Sequence, residues 1–262
     1  MPDYFDIHSH INFPEYDADR EIVLARMKDT NTYTITVGTD LHSSKSAVEL
    51  ADSHPNAFAC IGVHPVDDPS KSFEALEFQS LVQNPKVVAI GECGLDYFRL
   101  EGDSVSEKQR QKTLFEAQIM FALEHSKALM IHSRSAYEDT LDVLAHFKKE
   151  YGDKLFGNVH FFAGDTAIAQ KFFDIDFSIS CTGVITFTHD YDEVIRYAPL
   201  DLLLSETDAP YVSPTPHRGK RNEPIYVAEV VKKIAELRGE DFETVKQAMV
   251  ANALRRFTIA MS

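Results

Sequence analysis

Basic charge is scarce in this chain. Lysine and arginine number 26 against 41 aspartates and glutamates, a formal net charge of -15. A surface of that sign repels nucleic acid at long range, so any grip on phosphate must come from bound cations or from a local basic cluster. This argues against a protein that reads DNA sequence. It leaves room for an enzyme that handles one phosphodiester at a time. Cysteine is sparse too: Cys60, Cys93 and Cys181 lie far apart and form no CxxC pair. That pattern fits a reduced compartment, hence the cytoplasm, with each thiol buried and inert. No apolar run approaches the ~20 residues needed to span a bilayer, so no membrane association is expected. The N-terminus lacks a charged segment followed by an apolar one, so no signal peptide is expected. Neither GxGxxG nor GxxxxGK[ST] occurs, which removes the usual reasons to prefer a doubly wound open sheet. Repeats, low-complexity tracts and linkers are also missing.

What is present is an alternation. Short apolar runs occur at Tyr4 to Ile7, Tyr33 to Val37, Phe58 to Ile61, Val87 to Ile90, Ala128 to Ile131, Asn158 to Phe161, Ile175 to Ile179 and Leu202 to Leu204. Each is short enough for a buried strand. Helical stretches fall between most of them: Asp19 to Lys28, Ser46 to Ser53, Glu107 to Ser126, Ala136 to Lys149, Thr166 to Phe173, Pro224 to Arg238 and Phe242 to Phe257. The third is the clearest, with Leu114, Ala117 and Phe121 on one stripe and Phe115, Ile119 and Ala122 beside it. Asp165 is a suitable N-cap, and Gly239 a usual helix stop. Eight such units in 262 residues is the arithmetic of a (β/α)8 TIM barrel, an α/β fold, with residues 1–262 as one domain. The segment Asp208 to Pro224 holds four prolines and is a candidate substrate loop.

Polar residues recur just after the apolar runs. The first run leads into Asp6-Ile7-His8-Ser9-His10, where side chains two apart on a strand project to the same side. Later runs lead to His64, to Glu92, to His132 and Arg134, to His160, and to Glu206 and Asp208. Singly, each has a plain explanation as a satisfied core or turn residue. Jointly they point elsewhere, because the strand ends of a closed barrel open onto one face. Buried carboxylates and imidazoles gathered there cost several kcal/mol unless paired or metal-bound. Four imidazoles and two carboxylates suit Zn, Mn, Co or Fe better than Mg, which wants oxygen donors. A carboxylate can bridge two ions, and Glu92 is the natural bridge.

The motifs resemble those of the TatD family of metal-dependent deoxyribonucleases, within the amidohydrolase-like superfamily. The resemblance rests on Asp6-x-His8-x-His10, Gly62-Val63-His64-Pro65, Gly91-Glu92-x-Gly94-Leu95-Asp96-Tyr97, Ile131-His132-Ser133-Arg134, His160-Phe161-Phe162-x-Gly164, Glu206-Thr207-Asp208-x-Pro210 and Arg218-Gly219-Lys220-Arg221-Asn222-Glu223-Pro224, with a tail Asn252-x-x-Arg255-x-Phe257. It implies a TIM-barrel hydrolase with two divalent metal ions. One would be held by His8, His10, Glu92 and Asp208, the other by Glu92, His132 and His160. It also implies a Mg-dependent nuclease, some members having 3'-5' exonuclease action on DNA. The donor set and the resemblance differ over the ion, which is left among Mg, Mn and Zn. The chain departs from the family pattern in three places: Phe161-Phe162-Ala163, Ser135 and Arg256.

The leading expectation is DNA phosphodiester hydrolysis. Asp208 would be ligand and general base, and His64 would bind phosphate or donate a proton. Arg134 could pair bidentately with phosphate, and Arg218, Lys220 and Arg221 form the densest basic cluster. Tyr97 and Phe98 could stack a base. The rival enzyme reading is hydrolysis of an ester, amide, lactone or phosphotriester on the same barrel. A non-catalytic metal-binding protein is the third, and it predicts a lost ligand or base, which the sequence does not show.

Overall fold

The structure is a computed structural model that describes residues 1–67, 72–98, 100 and 104–261. Eight parallel strands form one sheet in sequence order: β1 Tyr4–Ser9, β2 Thr32–Val37, β3 Ala57–Ile61, β4 Val87–Asp96, β5 Ala128–Arg134, β6 Gly157–Val159, β7 Phe177–Cys181 and β8 Leu203–Ser205. Helices α1 Arg20–Asp29, α2 Leu41–Ser53, α3 Ala75–Val82, α4 Ser104–Glu124, α5 Tyr137–Tyr151, α6 Thr166–Asp174, α7 Asp192–Tyr197, α8 Val227–Arg238 and α9 Phe242–Arg256 connect and follow them. The arrangement is the expected single-domain (β/α)8 barrel. First and last strands meet just beyond β8, through a parallel bridge from Ser9 to Ala209. There Asp208 N donates to the His8 carbonyl (2.9 Å) and His10 N to the Ala209 carbonyl (2.6 Å). The barrel therefore closes at the level of the predicted ligands.

The helix ends follow local chemistry. Asp40 and Ser43 make a reciprocal capping box at the start of α2, and the Asp165 carboxylate accepts from Ile168 N at 2.9 Å. Each satisfies backbone donors that a first turn leaves unpaired. Gly239 ends α8 with φ 63°, the left-handed conformation a glycine tolerates.

Several boundaries differ from the sequence reading. Ile175 caps α6 and Asp176 takes φ 58°, so β7 starts only at Phe177. β4 runs past Ile90 to Asp96 because its register shifts and then pairs with β5 again from Cys93 onward. There Gly94 has φ 138°, and a Cβ would run into the His132 carbonyl. Helices α3 and α7 were not expected; each is short, with only two buried residues. On α4, Ala117 is exposed, while Gln111 and Gln118 share the buried stripe with Leu114, Phe115, Ile119 and Ala122. Arg256 is buried and donates to the Asp176 carbonyl at 2.7 Å.

Apolar side chains pack in two clusters. The larger joins most helices to the sheet. The smaller joins Phe5, Ile7, Ile35, Val37, Phe58 and Met130 to Val250, Ala253 and Phe257 of α9. Tyr16 is among the fully buried side chains, and its hydroxyl donates to the Asn222 carbonyl at 2.6 Å. This bond ties the segment after β1 to the loop after β8. Tyr16→Phe leaves that carbonyl without this donor, so a loss of about 1–3 kcal/mol is expected. Denaturant unfolding measures it; an unchanged midpoint would show that the bond does not brace the loop.

Candidate metal centre

The strand ends bring the predicted ligands together. His8 lies in β1 and His10 directly after it, Glu92 in β4, His132 in β5, His160 directly after β6, and Asp208 after β8. Glu92 stands between two groups. Its Oε2 faces His8 Nε2 (3.4 Å) and His10 Nε2 (3.8 Å). Its Oε1 faces His160 Nε2 (2.7 Å) and His132 Nδ1 (2.9 Å). Asp208 Oδ1 completes the first group, 3.8 Å from His8 Nε2 and 3.5 Å from His10 Nε2.

These spacings suit cations. Donors at tetrahedral corners about 2.1 Å from one ion stand about 3.4 Å apart. In the first group the two imidazole nitrogens are 3.2 Å apart. His10 Nδ1 meets the Val37 carbonyl at 3.0 Å, which makes it the protonated nitrogen and leaves a lone pair on Nε2. That lone pair, the Glu92 and Asp208 carboxylates and the His8 nitrogen converge on one space. Removed from water, such a set of acceptors fits a divalent ion and little else. Around Glu92 Oε1 the second set of donors converges in the same way.

The ionisation of the centre follows from its crowding. Burial opposes charge on Glu92, yet His160, His64 and His8 around it hold its carboxyl well below the usual range. Burial also opposes charge on His160, but Glu92 and Glu206 hold it well above the ordinary imidazole value. Burial and the adjacent His160 lower His8, whose ring stacks on that of His160 at 4.0 Å.

An outer layer fixes the ligands. Asp96 Oδ2 lies 2.9 Å from His132 Nε2. Glu206 Oε1 lies 3.4 Å from His160 Nδ1 and accepts from Phe161 N at 2.8 Å, while Oε2 accepts from Ser180 Oγ at 2.6 Å. Such carboxylates orient a ligating ring and raise its basicity. Asp6 accepts from Thr207 N (2.8 Å) and Thr207 Oγ1 (2.6 Å), which places the residue before Asp208. Two buried glutamines of α4 were missed in the sequence. Gln111 pairs with both backbone groups of Asp96 (2.8 and 3.0 Å), and Gln118 with both of Val63 (2.8 and 2.9 Å). Their signal was polar side chains seven apart on an apolar stripe.

A cavity of about 850 Å³ opens over the centre, lined in part by Phe13, His64, Phe98, Arg134, Phe161 and Tyr211. His64 Nδ1 lies 2.7 Å from Asp67 Oδ1, and its Nε2 lies 3.7 Å from Glu92 Oε1. The Arg134 guanidinium sits 3.8 Å from the Phe98 ring centre. Tyr97 donates its hydroxyl to Asp139 at 2.9 Å. The other predicted basic residues are not in the cavity wall. Arg218 and Lys220 are exposed; Arg218 lies over the Phe187 ring and donates to the Ser213 carbonyl. Arg221 is half-buried and donates to both Asp19 carboxylate oxygens at 2.8 and 2.7 Å. The basic cluster is thus divided, with Arg221 committed to the fold. Cys60, Cys93 and Cys181 are buried and unpaired with one another, and burial raises the thiol pKa of each. Among the described residues no helix is long and apolar enough to cross a membrane.

The comparisons agree with this geometry. A family model described as TatD related DNase matches residues 5–258. The chain is 39% identical over 259 residues to YabD, an uncharacterized metal-dependent hydrolase of Bacillus subtilis strain 168, with 97% of this chain and 99% of that protein covered. It is 33% identical over 264 residues to YcfH, an uncharacterized metal-dependent hydrolase of Escherichia coli K12, with 98% and 96% covered. The crystal structure of YjjV, a TatD homolog from Escherichia coli K12, matches with a TM-score of 0.89 at 28% identity, covering 98% of this chain and 99% of that one. With its ligand pattern, its barrel and these relatives in agreement, the chain belongs to the TatD family of metal-dependent hydrolases.

Proposed function

We propose that this protein hydrolyses DNA phosphodiesters at a pair of divalent ions. The observation that carries the reading is the orientation of Glu92, whose two oxygens face two separate sets of donors. His8, His10, Glu92 and Asp208 would hold one ion; Glu92, His132 and His160 would hold the other. Such ions, when bound, lower the pKa of water towards about 7 and neutralise charge on a phosphoryl group. The donor set favours Mn or Zn over Mg.

The chain's own residues supply the rest. Asp208 lies at the cavity edge of the first group and takes the proton of the attacking water. Arg134, exposed at the cavity wall, offers its guanidinium to a phosphate, with the Phe98 ring supporting its face. Arg218 and Lys220 are assigned to flanking phosphates. Arg221 can add only its field, because its guanidinium is bound to Asp19. His64 faces the centre from the β3 side.

A second reading is hydrolysis of a small ester, amide, lactone or phosphotriester. It is favoured by the neighbouring groove, whose lining includes Glu15, Asp40 and Asp67 and so disfavours a polyanion.

Labelled single-stranded DNA and a panel of esters and lactones, each with added Mn, Zn or Mg, separate the two. Cleavage of the DNA, abolished by a chelator, is expected; strong lactone turnover with intact DNA would reverse the ranking. Asp208→Asn, which keeps one oxygen donor, is expected to lower kcat by about 10²–10⁴-fold. Arg134→Ala is expected to raise KM for DNA about 10-fold, the scale of one charged hydrogen bond. Arg221→Ala should instead lower the melting temperature and leave KM unchanged; equal KM effects from both would contradict the division drawn between them.

A further inference from the structure

The imidazoles on the two sides of Glu92 are supported differently. On the Oε1 side, His132 has Asp96 behind it at 2.9 Å, and His160 faces Glu206 at 3.4 Å, although its Nδ1, like that of His8, makes no hydrogen bond among the described residues. On the Oε2 side, His10 has only the Val37 carbonyl at 3.0 Å, and His8 Nδ1 has no hydrogen-bond partner among the described residues. A carboxylate on the far nitrogen fixes the ring and makes the near nitrogen a stronger donor.

His64 is built in the first manner. Its Nδ1 lies 2.7 Å from Asp67 Oδ1. The backbone N of Val66 also points at this nitrogen, but from 3.4 Å, so the shorter Asp67 contact sets the tautomer: with the hydrogen on Nδ1, Nε2 of the neutral ring carries a lone pair. This nitrogen looks towards Glu92 Oε1 across 3.7 Å, and His64, Glu92 and His132 offer donor atoms that all lie within 4.8 Å of one another. A gap of that size is too long for a hydrogen bond. It fits two donors sharing a cation, since atoms about 2.1 Å from one ion stand about 3–4 Å apart. The neighbouring backbone is braced, with Gln118 bonded to both polar groups of Val63.

We propose that His64 is a further protein donor to the second ion, beside Glu92, His132 and His160, and that Asp67 is its positioning residue. The proposal rests on the two-ion reading above and deepens it. The second position then has three imidazoles whose far nitrogen faces a carboxylate, two of them at 2.9 Å or less, and the first has none. The second ion is held more tightly and favours a nitrogen-preferring cation such as Zn, while the first exchanges more readily.

The test is metal binding by the full chain, without turnover. Zn or Co(II) is titrated against a competing chelator, and the Co(II) absorption of the tighter site is recorded. The wild-type protein is expected to hold one ion tightly and one less tightly. His64→Gln is expected to weaken the tighter site by about 10–100-fold and to alter its Co(II) spectrum, with the weaker site unchanged. Asp67→Asn, at an exposed carboxylate, should act in the same direction by a smaller factor. Circular dichroism checks that both variants are folded, and Asp67→Asn alone carries the test should His64→Gln fail to fold. Unchanged affinity and spectrum in the folded variants overturn the assignment, as does a wild-type protein that binds a single ion. Lost DNA cleavage with unchanged metal binding would place His64 on the substrate, overturning the ligand role while sparing the hydrolase reading.

Discussion

A buried carboxylate surrounded by imidazoles governs this molecule. Glu92 is only 4% exposed, and five histidine nitrogens stand within 3.8 Å of its oxygens, those of His8, His10, His64, His132 and His160. Burying such a group is costly in the absence of a partner. The surrounding imidazoles, above all that of His160, compensate it in part, and divalent ions would complete the balance. The features around it serve this one anion. Gly94 lets β4 run close against β5 at the level of His132. Gln111 holds Asp96, which in turn holds His132. Glu206 faces His160 at 3.4 Å and fixes the turn that follows it.

Barrel closure and site assembly are one event. The contacts that join the two ends of the sheet run between His8 and Asp208 and between His10 and Ala209. Asp6 adds its two bonds to Thr207. The loop after β8 is anchored from within by Asn222, which donates to the carbonyls of Thr207 (2.8 Å) and Tyr211 (2.6 Å) and accepts from Tyr16. Four-proline composition had marked this loop as a substrate element. Its first residues, Asp208, Tyr211 and Val212, do line the cavity, whereas Arg221 near its end is part of the fold.

Much of this was legible in the sequence. All eight strands coincide with apolar runs, because strands buried on both faces need such runs regardless of tertiary detail. The ligand set was visible because each of its members follows a run closely or, as with His160, lies near the end of one. Other features depend on geometry that periodicity does not carry. Helices α3 and α7 bury too few residues to impose a stripe. The extension of β4 comes from renewed pairing with β5, a long-range contact. Ala117 and Gln118 exchanged their expected places because a glutamine can be buried when its amide pairs with a backbone, here that of Val63. The basic cluster looked uniform in sequence. Its division followed from Asp19, some two hundred residues away, which engages Arg221 alone.

The most direct measurement is anomalous scattering from a crystal of the protein grown with Mn. The account predicts two peaks, one on each side of the Glu92 carboxylate and about 3.5–4 Å apart. A single peak, or none within coordination distance of Glu92, would contradict it.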